Sequence, residues 1–140
     1  MRTEVGQRSR RVSYPARAVA TGEVCSLEPN ELAHAIVDAA ADKKASDIVF
    51  LDLRKVAFIA DFFVLCNGQS ARQIKAIAGG IIESIKTMGV RRLAVEGASE
   101  SGWVLVDAGA VIVHVFSPDL RAYYALEELW RDAPVVVHIQ

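Results

Sequence analysis

The chain between residues 103 and 116 alternates its side chains in the manner of two β-strands joined by a tight turn. Ala108-Gly109 separates two β-branched runs and predicts a two-residue hairpin loop. In that register the opposed pairs are Asp107 and Ala110, Leu105 and Ile112, and Trp103 and His114. One face then carries only valines: Val104, Val106, Val111, Val113 and Val115. The valine face is predicted to pack in the core. The other face is predicted to be a recognition patch, because it mixes aromatic, aliphatic and titratable groups. Its residues are Trp103, Leu105, Asp107, Ala110, Ile112, His114 and Phe116.

Three segments repeat apolar residues at the spacing of an amphipathic helix. They cover residues 30–44, 70–88 and 117–130. Ser70 and Gln73 form an S-x-x-Q capping box at the start of the second. The third begins with serine, proline and an acid, a sequence typical of a helix start.

Three apolar runs outside the hairpin predict further strands at residues 48–53, 62–66 and 91–96. Together these elements predict a single α/β domain with a mixed five-stranded sheet flanked by helices. We place this domain at residues 29–134, after a flexible arginine-rich N-terminal tail at 1–28 and before a C-terminal tail at 135–140. The apolar residues of that last segment fit either an added strand or a disordered end.

Composition narrows the class of protein. With 140 residues, 52% of them hydrophobic, the chain can bury one core and is not a disordered protein. Its apolar runs are shorter than the roughly 18 residues that span a bilayer, and its net charge of −1 predicts no bulk affinity for nucleic acid or membrane. Cys25 and Cys66 do not make a disulfide framework, so we expect a reducing compartment, the cytoplasm, with an organellar stroma or matrix as the alternative.

Asp52 and Asp61 are the candidate paired carboxylates of an enzyme. A metal-dependent phosphoryl-transfer site usually places two acids two positions apart on one strand, but here Arg54 stands where the second acid would be. Residues 67–70 precede a helix and could hold an anion on free N–H groups, yet a strand-to-helix turn with a capping serine is the favoured interpretation. We expect no metal site and no cofactor, since His34, His114 and His138 have no convincing ligand partners at suitable spacing.

The last predicted helix carries the side chains that most often anchor protein interfaces. Arg121 and Tyr124 lie three positions apart and are neighbours on the helix surface. Tyr123, Leu126 and Trp130 share a stripe and are predicted to face the core. A lone histidine such as His114 is either a hydrogen-bonded structural residue or part of a partner-binding patch.

Several linked motifs resemble one known family. They are Asp61-Phe62-Phe63-Val64-Leu65-Cys66-Asn67-Gly68-Gln69-Ser70 with Arg72-Gln73, then Glu96-Gly97, Gly102-Trp103-Val104-Leu105-Val106-Asp107, Val111-Ile112-Val113-His114-Val115-Phe116 and Arg121-Ala122-Tyr123-Tyr124-Ala125-Leu126-Glu127-Glu128-Leu129-Trp130. In this order, over residues 30–134, the chain is similar to the Iojap/YbeB family, the ribosomal silencing factors. It departs from the family's usual pattern at Asn67-Gly68-Gln69, at Ala71 and at Ala110, where an acid is common.

The resemblance implies a nucleotidyltransferase-like α/β fold without catalytic acids, and hence no enzyme. It implies binding to the large ribosomal subunit through its fourteenth protein, which blocks joining of the small subunit and represses translation. Peripheral contact with ribosomal RNA and a homodimer are further expectations, with no membrane and no small-molecule substrate. Carried onto this chain, the contact surface comprises Trp103, Leu105, Asp107, His114, Arg121 and Tyr124.

Two alternatives stay open at this point. One is a nucleotidyltransferase-like or phosphate-binding enzyme that uses Asp52, Asp61 and the turn at residues 67–70. The other is a homodimeric adaptor, which would use the same face that is predicted to bind the partner for self-association.

Overall fold

A computed structural model of the chain describes residues 28–140, so the predicted N-terminal tail lies almost wholly outside the described residues. A short 3₁₀ turn, Ser99–Ser101, joins the third and fourth strands. The elements in chain order are α1 (Pro29–Asp42), β1 (Ser46–Asp52), β2 (Phe62–Asn67), α2 (Ala71–Thr87), β3 (Ala94–Ala98), β4 (Trp103–Asp107), β5 (Val111–Phe116), α3 (Pro118–Tyr124), α4 (Leu126–Leu129) and β6 (Val135–Ile139).

The strands form one mixed sheet in the order β3-β4-β5-β2-β1-β6. Only β2 and β5 pair in parallel, and the other neighbours are antiparallel. The predicted mixed α/β domain is confirmed, but the described chain has six strands rather than five. The sixth is Val135–Ile139, which pairs with β1 and is part of the sheet instead of a tail.

The sheet separates two apolar clusters. The larger lies under α1 and α2, where the isoleucine stripe of α2 packs on the hairpin valines as the periodicity predicts. The smaller cluster, here called the second core, lies on the opposite side. Its buried members are Val49, Leu51, Leu53, Ala60, Phe63, Leu65, Phe116 and Ala133. The two faces of β4 and β5 therefore belong to different packing layers.

The capping box predicted at the start of α2 also ties that helix to α1. Ser70 Oγ accepts a hydrogen bond from the N–H of Gln73 at 3.1 Å. The side chain of Gln73 accepts from the N–H of Gln69 at 2.6 Å and donates to the carbonyl of Lys44 at 3.0 Å. One side chain thus joins the start of α2 to the end of α1.

The hairpin register differs from the prediction by two residues. Leu105 pairs with His114, and Ala108 donates to the carbonyl of Val111 at 2.9 Å, so the loop residues are Gly109 and Ala110. Gly109 has φ +88°, which a glycine adopts without strain and an alanine does not. Because the shift is an even number of residues, every side chain keeps its predicted face.

The predicted last helix is broken at Ala125. This residue has φ +44° and ψ 53°, a left-handed conformation that ends α3 and starts α4 in a new direction. Leu126 and Trp130 pack against the second core as predicted. Tyr123, predicted to be buried, is exposed, because the stripe assumed one continuous helix.

Two glycine substitutions should have opposite effects on stability. Gly97 has φ +87°, and a Cβ there would collide with the carbonyl of Trp103, so Gly97→Ala should destabilise the fold by more than about 1 kcal/mol. Gly79 lies inside α2 with open space around it, so Gly79→Ala should stabilise by up to about 1 kcal/mol. Urea denaturation measures both, and shifts of the same sign would contradict the geometry.

Candidate functional site

Trp103 and Tyr124 form an aromatic pair at the surface, on the side of the sheet that holds the second core. Their ring centroids lie 4.7 Å apart, and Trp103 also stacks on buried Phe116 at 5.0 Å. Trp103 is half-buried and Tyr124 is 44% exposed. Leu105 and Asp107 follow on the same side of β4 and are also half-buried. We name these four residues the docking face.

His114 lies directly beneath the docking face. Its side chain is 4% exposed, and its Nδ1 accepts a hydrogen bond from Trp103 Nε1 at 3.2 Å. The ring also contacts Phe63 edge-on at 4.8 Å and Phe116 at 5.9 Å. The indole N–H of Trp103 is therefore satisfied from below, which holds the ring in one orientation.

The same geometry sets the protonation of His114. Burial, followed by the positive charge of Arg121, lowers the pKa of His114 from 6.5 to about 4. The ring is neutral at pH 7, and because Nδ1 accepts from Trp103 its proton lies on Nε2. Nε2 has no hydrogen-bond partner among the described residues.

Arg121 is the second buried polar residue under this surface. Its side chain is 6% exposed, and Nη1 donates to Asn67 Oδ1 at 2.7 Å and to the Asp47 carbonyl at 2.9 Å. Nε donates to Glu127 Oε2 at 2.8 Å. Arg121 thus attaches α3, which ends in Tyr124, to strands β1 and β2.

Asp47 extends these contacts to the edge of the sheet. It has φ +50°, and the pairing of β1 with β2 is irregular at this position. Its carboxylate lies 2.9 Å from His138 Nε2 and 3.7 Å from Arg121 Nη2. We name this network the Arg121 cluster, made of Asp47, Asn67, Arg121, Glu127 and His138.

The structure brings the six predicted site residues together in two layers. Trp103, Leu105, Asp107 and Tyr124 reach the surface, whereas His114 and Arg121 are buried below them. Asp107 also accepts from the N–H of Gly109 at 2.9 Å and so stabilises the hairpin turn.

Sequence reasoning missed two parts of this region. The polar partners Asp47 and Asn67 are separated from Arg121 by 74 and 54 residues, and no local pattern marks such contacts. The loop after β1 exposes three apolar side chains, Val56, Phe58 and Ile59, with Phe58 wholly in solvent. A run of apolar residues, Val56-Ala57-Phe58-Ile59-Ala60, was the available signal for that loop.

Two of the groups considered for enzyme chemistry, Asp52 and the turn at residues 67–70, make local hydrogen bonds. Both carboxylate oxygens of Asp52 accept from Arg54, at 2.9 and 2.7 Å, and these hydrogen bonds lower the pKa of Asp52. At the turn before α2, the N–H of Gln69 is taken by Gln73. Within residues 28–140 no group of three histidine, cysteine or acidic side chains is placed to hold a metal ion, and no helix is long and apolar enough to cross a membrane.

Cys66 is buried in the sheet rather than presented to a substrate. Burial raises the pKa of its thiol to about 12. The thiolate is the nucleophilic form of cysteine, and burial of Cys66 keeps it as the thiol at neutral pH.

We expect acidification from about pH 6.5 towards pH 4 to destabilise the fold in part through His114. Between these values the unfolded chain binds a proton at His114 and the folded chain does not, so stability rises with pH. The contribution of His114 to the free energy of unfolding changes by about 3 kcal/mol across this pH range. Urea denaturation of the wild type and of His114→Gln near pH 7.5 and pH 4.5 measures it. An equal loss in both proteins would contradict the assignment.

Removing the Arg121 guanidinium should destabilise the fold and displace Tyr124. Arg121→Met leaves Asn67 and Glu127 without their donor. We expect the free energy of unfolding to fall by about 3 kcal/mol. This is the lower end of the range for a broken buried ion pair, because Glu127 reaches solvent. Arg54→Met removes an exposed pair and serves as the control, with a much smaller loss. Thermal and urea denaturation compare the two, and equal losses would show that burial of Arg121 is unimportant.

Comparison with known proteins agrees with this arrangement. A family model described as "Ribosomal silencing factor during starvation" matches residues 26–140. The chain is 45% identical over 110 residues to ribosomal silencing factor RsfS of Halalkalibacterium halodurans, covering 79% of this chain and 94% of that protein. It is 28% identical over 98 residues to mouse "Mitochondrial assembly of ribosomal large subunit protein 1", covering 68% of this chain and 43% of that protein.

A solved structure shows the same fold. The crystal structure of a Chromobacterium violaceum protein superposes with a TM-score of 0.71 at 40% identity, over 74% of this chain and 87% of that one. The family match spans every described element, from α1 to β6. The chain therefore belongs to the ribosomal silencing factor family.

Proposed function

We propose that this chain binds the large ribosomal subunit through its fourteenth protein and thereby blocks joining of the small subunit. Translation is repressed because a subunit carrying the bound factor does not enter a complete ribosome. The observation that supports this proposal most directly is the Trp103–Tyr124 pair, which reaches the surface and is supported from below by His114 and Arg121.

The docking face carries two of the side chains that most often anchor protein interfaces, Trp103 and Tyr124. Tryptophan and tyrosine are enriched among the residues whose truncation weakens protein complexes. Rigid aromatic side chains also lose little conformational entropy when they are buried. Because the Trp103 N–H is already bonded to His114, a partner can cover the indole without desolvating an unpaired donor.

The proposed mechanism is steric and requires no chemistry. A standard protein interface buries roughly 800 Å² per partner. A folded domain attached at the face where the small subunit docks excludes that subunit by its volume alone. A steric mechanism needs no catalytic pair of carboxylates. This agrees with the pairing of Asp52 to Arg54, which stands where the second acid of such a pair would be.

The relatives support the class of partner. The bacterial relative is named a ribosomal silencing factor, and the name of the mouse relative refers to assembly of the large ribosomal subunit. We therefore place this chain with ribosomes, in the cytoplasm or, as the alternative, in an organellar matrix or stroma. Contact with ribosomal RNA at the rim of the interface belongs to the same proposal.

A homodimer through the docking face is the second arrangement that this surface allows. Exposed aromatic and aliphatic groups on one face can pair with their own copy by two-fold symmetry. In that arrangement the dimer and the ribosome compete for Trp103, so adding large subunits should dissociate the dimer. Light scattering with and without large subunits distinguishes this case from an adaptor that stays dimeric.

Truncation of the docking face should strongly weaken ribosome binding without unfolding the protein. We expect Trp103→Ala and Tyr124→Ala each to weaken binding to isolated large subunits by about 30-fold or more, the effect of a hot-spot residue. The same variants should no longer inhibit the joining of purified subunits. Co-sedimentation measures the first effect and density-gradient centrifugation the second.

The matched control is Val136→Ala on β6, at the other end of the sheet. Its side chain is 43% exposed, close to the exposure of Tyr124, and β6 is four strand positions from β4. This variant should bind like the wild type. Normal binding by folded Trp103→Ala and Tyr124→Ala would remove both residues from the contact surface.

A further inference from the structure

The loop between β1 and β2 presents an apolar tip to solvent. Phe58 is fully exposed, and Val56 and Ile59 are exposed beside it. We name these three residues the apolar tip. Large side chains that stand wholly in water at a loop end mark binding surfaces when they are clustered.

The loop that carries the apolar tip is anchored at both ends. Leu53 and Ala60 are buried in the second core, and Ala57 packs against it. Backbone hydrogen bonds close the loop, from Leu53 N–H to the Asp61 carbonyl at 2.8 Å and from Ala57 N–H to the Leu53 carbonyl at 3.0 Å. A fixed loop holds Phe58 outward, so little ordering entropy is lost when a partner covers it.

The loop lies on the same side of the sheet as the docking face and touches the end of its hairpin. The second core, into which the loop packs, also includes the half-buried Trp103 and Ile112 at its margin. The N–H groups of Asp61 and Phe62 both donate to the carbonyl of Ala110, at 2.8 and 3.1 Å.

The docking face is too short to fill an ordinary interface alone. From Trp103 to Asp107, β4 spans about 13 Å at the usual rise of a strand. A contact of roughly 800 Å² is close to 30 Å across. Ile112 pairs with Asp107 at the lower end of the face, and beyond this pair come the hairpin loop and the apolar tip.

The charges of the loop favour a protein surface over a nucleic acid. Arg54 is held in a bidentate pair with Asp52 and lies over the ring of Phe62 at 5.0 Å, so its charge is neutralised within the loop. Lys55 is the neighbouring cation. Sequence-independent RNA binding draws on several unpaired cations that follow the phosphates.

We propose that the apolar tip is a second contact for the same protein partner, an apolar patch on the ribosomal protein that the docking face binds. This proposal rests on the function proposed above. Trp103 and Tyr124 anchor one end of the interface and Phe58 and Ile59 anchor the other, with β4 and the hairpin loop between them.

The test compares single variants in binding to purified large subunits. We expect Phe58→Ala to weaken binding about tenfold and Ile59→Ala to weaken it to a smaller extent. Ile139→Ala on β6, an exposed aliphatic residue at the far edge of the sheet, is the matched control and should bind like the wild type. Phe58 makes no core contact, so circular dichroism and the melting temperature should be unchanged.

The outcomes separate this proposal from the function on which it rests. Weakened binding by Trp103→Ala with normal binding by Phe58→Ala would overturn the second contact and leave the docking face in place. Normal binding by both would overturn both. A loss in Lys55→Ala larger than that in Phe58→Ala, with a steep salt dependence, would assign the loop to RNA and overturn the protein contact. A change from dimer to monomer in Phe58→Ala, with normal subunit binding, would assign the apolar tip to a second copy of this chain.

Discussion

The burial of one guanidinium group, that of Arg121, constrains the whole docking side of this protein. A buried charge is tolerated only when it is paired and hydrogen-bonded, and here the ion-pair and hydrogen-bond partners are supplied by β1, β2 and the start of α4. Several unusual backbone features lie at these partners. Asp47 takes a left-handed conformation where its carbonyl accepts from Arg121, and Ala125 takes another just before Glu127. We interpret both as local strain that the charged network outweighs.

The two sides of the sheet are stabilised by different means. Under α1 and α2 the packing is mostly aliphatic, with one pair of phenylalanines, Phe50 and Phe62, and it needs only residues of the right size and period. On the opposite side, a smaller aliphatic cluster lies beside aromatic rings and three buried polar residues, Asn67, His114 and Arg121. Such groups cost free energy to bury but fix orientation, because hydrogen bonds are directional where apolar contacts are not. His114 illustrates this exchange: its Nε2 has no hydrogen-bond partner among the described residues, while its Nδ1 holds the indole that faces solvent.

Sequence patterns predicted the parts of this fold that follow from local periodicity. The stripe of α2, the capping serine and the valine face of the hairpin were all readable, because burial of one face repeats every two or 3.6 residues. The hairpin register was wrong by two residues, since Ala108-Gly109 and Gly109-Ala110 are both plausible loops until φ at Gly109 is known. The break at Ala125 had no local signal, because alanine is the residue that favours an unbroken helix. The sequence predicted which side of the hairpin and of the last helix carries the candidate site. It did not predict that Arg121 is buried, because that depends on hydrogen bonds to residues more than 50 positions away in the chain.

Strand β5 is shared by both packing layers, and this limits how the gene can change in length. Its valines point to the helices, and Ile112, His114 and Phe116 point to the docking side. Deletion or insertion of a single codon in β5 would exchange these two sets, placing an imidazole under α2 and valines beneath the tryptophan. The loop between β1 and β2 has no such alternation and can change length without inverting either layer. The fold should therefore tolerate insertions and deletions in that loop but not in β5. A change in the length of the loop would still move the apolar tip relative to the docking face and weaken the second contact.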